Sequence, residues 1–111
     1  MATDPIDALS AAPDNHRLLF ENDRVRILDT NVAPGSATPV HAHEWPAALF
    51  VLNWSDFVRR GADGEVLADS RGRPPPEPGS GFWIDPLPPH SVENVGSSDL
   101  RIIAVEVKGE P

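Results

Sequence analysis

The chain has 111 residues, enough to close one hydrophobic core and too few for two. Its 17 Asp and Glu outweigh nine Lys and Arg to give a formal charge of −8, which repels phosphate backbones and anionic headgroups and sets aside nucleic acid and membrane surfaces as partners. There is no cysteine, so disulfides, thiolate ligands and a Cys nucleophile are excluded, and any metal must be held by imidazole, carboxylate, carbonyl or water.

Thirteen prolines and eight glycines cut the sequence into pieces too short for long helices and favour short strands joined by turns. Residues 1–20 mix Ala, Asp and Pro around one helical turn at Ile6 to Ala11 and read as an irregular surface arm ahead of a single domain over residues 21–110. The opening stretch lacks a basic segment followed by an apolar one, and the longest strongly apolar run, Ala47 to Leu52, is far shorter than a bilayer span; a cytoplasmic protein is expected.

The first strand is expected from Arg24 to Val32, where Val25 and Ile27 alternate with Arg24 and Arg26 as a half-buried strand requires. A turn follows at Pro34-Gly35. Ala47 to Asn53 is nearly all apolar, which suits a strand covered on both faces. Asp56 to Arg60 continues or pairs with it, and Ala62-Asp63-Gly64 signals a hairpin into a returning strand at Glu65 to Ala68. Gly72 to Gly81, with Pro74-Pro75-Pro76-Glu77-Pro78, is too proline-rich for a ladder and reads as a loop. Short strands follow at Gly81 to Asp85 and His90 to Val95. The last, Leu100 to Lys108, turns charged at Glu106 and Lys108 as though leaving the core.

Two segments carry chemistry. In Val40-His41-Ala42-His43 the histidines are two residues apart, so an extended backbone points both imidazoles to one face, the way a strand offers two nitrogens to one metal. In Pro89-His90-Ser91-Val92-Glu93-Asn94, His90 and Asn94 share a face. Trp45 and Trp83 flank these segments and are placed near a cavity mouth, whereas Phe50 and Phe82 are assigned to core packing. Arg59 and Arg60 end a strand where they meet an anionic ligand, a partner chain or solvent. His16 has no partner spacing and is given no role.

Taken together these segments resemble the cupin superfamily. Its first motif, G-x5-H-x-H-x3,4-E-x6-G, is matched by Gly35, His41 and His43, and its second, G-x5-P-x-G-x2-H-x3-N, by Gly79, His90 and Asn94. The glutamate of the first motif falls at residue 47 or 48, where both residues are alanine; Asp85 and Leu87 replace the proline and second glycine of the second. The resemblance spans Arg24 to Lys108 and implies an all-β cupin jelly-roll barrel, a homodimer, and a divalent metal held by His41, His43 and His90 with open positions for water or substrate. Zn, Fe, Mn, Ni and Cu all accept imidazole. Glu44 has the opposite strand parity to His43 and is not expected to join them.

Three functions follow as expectations. One is a barrel that binds a small-molecule ligand beside a three-His metal centre. Another is a metal-dependent dioxygenase or isomerase, with the metal acting on a substrate oxygen. The third, which the missing glutamate favours, is a metal-free ligand-binding or sensor barrel.

Overall fold

The computed structural model describes residues 6–109. In chain order its elements are α1 (Ala8–Ala11), β1 (His16–Glu21), β2 (Val25–Val32), β3 (His41–His43), β4 (Ala47–Asn53), β5 (Phe57–Gly61), β6 (Val66–Asp69), β7 (Gly81–Ile84), β8 (Leu87–Asn94) and β9 (Leu100–Val107). They form two antiparallel sheets, ordered β1-β2-β9-β4-β7 and β3-β8-β5-β6. This is the all-β jelly roll expected from the short, proline-punctuated strands. No helix among the described residues is long and apolar enough to cross a membrane.

The inner faces of both sheets enclose one cavity, with Val32, Leu49 and Ile102 on one wall and Phe57, Leu87 and Val92 on the other. Leu28, Val32 and Val58 are fully buried, and Val32 also lines the cavity. Strand alternation decides what points inward. In β2 the inward set is Arg26, Leu28 and Val32, and Val25 and Ile27 are only half-buried. The sequence expectation placed the two arginines outside. It is corrected because Arg26, with no exposed surface, is neutralised by Asp7 and Glu106, the condition on which a buried charge is tolerated.

β4 also departs from expectation. Ala47 and Val51 are buried, but Phe50 and Leu52 on alternate positions are 45% and 47% exposed, so the run is covered on one face only. Trp83 pairs with Ala48 on that outer face and is 56% exposed. It lies away from the cavity mouth, whereas Trp45 and Phe82 line the cavity.

Residues 6–20 contribute α1 and the edge strand β1, with Asp7, Ala8, Ala12 and His16 buried and Arg17 to Phe20 exposed. Ala8 and Ala12 have no exposed surface, Asp7 caps α1 by accepting from the Leu9 amide at 3.0 Å, and Ile6 accepts from the Ala42 amide at 2.8 Å. β1 then pairs along β2, with His16 opposite Thr30.

At the far end of β8, Asn94 ties three segments together. Its side chain donates to the carbonyls of Val32 (2.8 Å) and Ser98 (2.7 Å) and accepts from Ser55 Oγ (2.7 Å) and the Gly96 amide (2.9 Å). Its place in the second motif is therefore one of turn closure, distant in role from His90.

Candidate metal centre

Four histidines meet in the cavity. His41 and His43 come from β3, and the register of β3 against β8 sets His41 directly opposite His90, so the two motif segments are cross-strand neighbours with side chains on one face. Their ring centroids are 4.5 Å apart, and His90 lies 5.6 Å from His43. His16 arrives from the other sheet, with centroids 4.7 Å from His41 and 5.7 Å from His43. Ligating atoms of His16, His41 and His43 all lie within 4.8 Å of one another. His90 stands beside this group without entering it.

The sequence reading left His16 without a role, and the structure corrects its placement. It is 5% exposed, against 1% for His41 and 2% for His90. Glu44 is exposed and stands outside the group.

The hydrogen bonds settle which nitrogen of each ring carries the proton. Nδ1 of His16 lies 3.0 Å from the Ala12 carbonyl, that of His41 2.8 Å from Pro39, and that of His90 2.8 Å from Pro88. A carbonyl only accepts, so each Nδ1 carries the proton and each Nε2 keeps its lone pair. Nδ1 of His43 is held in the same way at 2.9 Å by the Glu106 carboxylate. An Nδ1–H anchored by a carbonyl or carboxylate is the arrangement that orients a metal-binding imidazole.

Burial favours the neutral form of three of the rings. It lowers the pKa of His16 to about 4, helped by the neighbouring His41, and that of His90 to about 3; His41 is lowered too. Neutral imidazoles with free Nε2 lone pairs fit a divalent metal, and the donor set contains nothing softer or harder to compete with nitrogen.

Glu106, expected to leave the core, is completely buried. Oε2 accepts from His43, and Oε1 accepts from Arg26 Nε at 2.5 Å. Burial pushes its pKa up, but the bonds from His43 and Arg26 outweigh that and hold it below the usual range. Arg26 continues to Asp7, donating to both carboxylate oxygens at 2.8 and 3.0 Å, and lies 5.1 Å from the centroid of the Trp45 ring. The Asp7, Arg26 and Glu106 chain carries one net negative charge behind the histidines, which offsets part of a metal's charge although no carboxylate joins the donor group.

No family model matches the sequence, and no curated protein matches it. Solved structures do. The chain is similar to a cupin domain from Bordetella pertussis Tohama I, at 17% identity over 85% of this chain and 92% of that one, with a TM-score of 0.68. This chain has a cupin fold. It is also similar to an RmlC-like cupin family protein with a double-stranded β-helix fold from Methanocaldococcus jannaschii (15% identity, 83% and 77% of the two chains, TM-score 0.58) and to the polyketide cyclase RemF from Streptomyces resistomycificus (24%, 91% and 70%, 0.56). At these identities the likeness is one of fold. Within the cupin fold, the two histidines of β3 and the one of β8 occupy the motif positions, and His16 is the addition that motif spacing does not reveal. The signal for it was weak: Leu18, Leu19 and Phe20 are apolar on both strand parities, and a bulge between Leu18 and Phe20 breaks the alternation.

Proposed function

We propose that this cupin-fold chain holds a divalent metal through its histidine cluster and binds a small organic ligand in the adjoining cavity. The observation that carries the reading is the gathering of four imidazoles whose Nδ1 atoms are all anchored, with ligating atoms of His16, His41 and His43 within 4.8 Å of one another. A barrel interior has no packing reason to gather four imidazoles whose free nitrogens lack donors. His41 and His43 form the shared pair of the donor set, joined by His90 from the smaller sheet and His16 from the larger. A bound divalent ion supplies Lewis acidity toward a ligand oxygen.

The cavity supports the ligand half of the proposal. Its volume is about 490 Å³, within the range of small-molecule sites, and Trp45, Trp54, Phe57 and Phe82 give it apolar walls. Pro74 and Pro76 of the proline-rich loop also line it.

A second reading is enzymatic: metal-dependent dioxygenase or isomerase chemistry on a largely apolar substrate. It is favoured by donors that open directly onto a cavity large enough for a substrate, and RemF, of the same fold, is a polyketide cyclase. The homodimer implied by the family resemblance is likewise proposed, and sedimentation velocity tests it.

The deciding experiment is metal content of untagged protein by inductively coupled plasma mass spectrometry, beside His41→Ala. Near-stoichiometric Zn, Fe, Mn, Ni or Cu that is lost in the variant supports the metal centre and justifies oxygen-uptake and isomerisation assays. No bound metal after reconstitution with each ion overturns it and leaves a metal-free binding barrel.

A further inference from the structure

Two arginines on strands, Arg26 and Arg59, point into this barrel and the fold treats them differently; a third, exposed Arg73, lines the cavity from the proline-rich loop. Arg26 is neutralised by Asp7 and Glu106. Arg59 on β5 makes no hydrogen bond or ion pair with any described residue, and its Nε is the one buried side-chain nitrogen or oxygen among them that lacks a partner. Its neighbour Arg60 alternates to the opposite face and pairs with Glu93. The register confirms the direction of Arg59: it lies opposite Val92 on one side and Ala68 on the other, and all three line the cavity.

The same register puts Gly61 opposite His90, which makes Arg59 a diagonal neighbour of His90 on the inner face, about 7–8 Å away between backbones. The cavity's own carboxylates do not neutralise Arg59. Asp69 is held by Arg71 at 2.8 Å, Glu106 is occupied by Arg26 and His43, and Asp85 makes no bond to Arg59. A guanidinium stays protonated at any ordinary pH. Leaving its Nε buried and unpaired carries a cost that a ligand's acceptor oxygen removes.

We propose that Arg59 is the anion-binding residue of the cavity and that the ligand is a small organic acid: an apolar, ring-sized body bearing a carboxylate. The planar guanidinium fork takes both carboxylate oxygens in parallel N–H···O bonds. Trp54, Phe57 and Phe82 line the same space and receive the ring. His90 lies on the adjoining strand β8, with His41 and His43 beyond it on β3. This assignment rests on the cavity being the ligand site, and it holds whether or not metal occupies the histidines.

The test is isothermal titration of 2-naphthoate and of its neutral counterpart 2-naphthamide into wild-type protein, Arg59→Gln, Arg59→Lys and Arg60→Gln, each metal-free and zinc-loaded. Wild type is expected to prefer the naphthoate. In Arg59→Gln naphthoate binding weakens by about 10-fold or more with naphthamide binding retained. Arg59→Lys keeps the charge without the fork and recovers part of the preference, and Arg60→Gln matches wild type. A variant whose cavity has collapsed loses both ligands, which separates misfolding from loss of the anion contact. The proposal is overturned if Arg59→Gln keeps the preference for naphthoate, or if naphthoate does not bind wild type saturably in either form. Zinc uptake without Arg59-dependent binding sinks this inference alone; Arg59-dependent binding without zinc uptake sinks the metal centre alone.

Discussion

Glu106 on β9 is the direct cross-strand partner of Ala47 on β4. Ala47 is one of the two positions where the cupin motif carries its glutamate, so a carboxylate has been restored to this layer of the barrel from the neighbouring strand. It arrives with different work. Both oxygens are occupied, one by Arg26 Nε and the other by His43 Nδ1, so Glu106 positions an imidazole and is not itself free to bind a metal.

Glu106→Gln tests that role. The amide is nearly isosteric but replaces one acceptor oxygen with an NH₂ group, which then faces the Nδ1–H of His43 or the Nε–H of Arg26. Zinc affinity is expected to fall by about 10- to 100-fold, the usual effect of losing an outer carboxylate partner. Competition titration against a chromophoric chelator measures it, and an unchanged affinity would show that His43 needs no orienting carboxylate.

His16→Ala separates two donor sets. Spacing alone offers His41, His43 and His90, and on that set the substitution leaves metal uptake intact. The geometry instead puts ligating atoms of His16 within 4.8 Å of those of His41 and His43, so His16→Ala is expected to reduce bound metal to nearly the extent of His41→Ala. Full zinc occupancy in a folded His16→Ala protein would return the assignment to the three motif histidines.

These contrasts show where the sequence was readable. His41 and His43 could be placed because a strand's two-residue period needs no tertiary information, and His90 because a motif fixes its distance from Gly79 and Asn94. Turns at Gly64 and strands at Ala47–Asn53 and Gly81–Ile84 follow from local chemistry in the same way. Arg26 and Glu106 could not be placed, since a charged residue reads as solvent-facing until its partner is known, and these partners are 80 positions apart. His16 was hidden by the bulge in β1. The exposed outer face of β4 was misjudged because an apolar run signals burial without saying how many faces are covered.

Asn94→Ala is expected to destabilise the fold by about 3 kcal/mol or more, because it strands the buried carbonyl of Val32 together with the groups of Ser55, Gly96 and Ser98 that share the side chain. Gly96→Ala acts at the same corner by another route. A methyl group there would sit 2.1 Å from Ser55 Oγ and 2.9 Å from the Asp56 amide nitrogen, so the hydroxyl and then the backbone must move. Urea midpoints measure both. A Gly96→Ala protein as stable as wild type would mean that this corner is looser than the contacts require.

Acid stability provides the last test, on metal-free protein. In an unfolded chain His16 and His90 titrate near 6.5, whereas in the fold burial holds them at about 4 and about 3. Between those values the unfolded chain binds protons that the folded chain refuses, so stability falls as pH drops from 6.5 toward 4 and the loss levels off once the folded rings also protonate. Each ring contributes on the order of 3 kcal/mol across that window, which is a large part of a small domain's stability. Urea midpoints in the presence of chelator are expected to decline steeply from pH ~6.5 to ~4, and His16→Asn with His90→Gln to flatten that decline by removing the two groups that drive it. Midpoints of the wild type that stay level across the window would mean the rings are hydrated in solution, which is incompatible with the burial of His16 and His90.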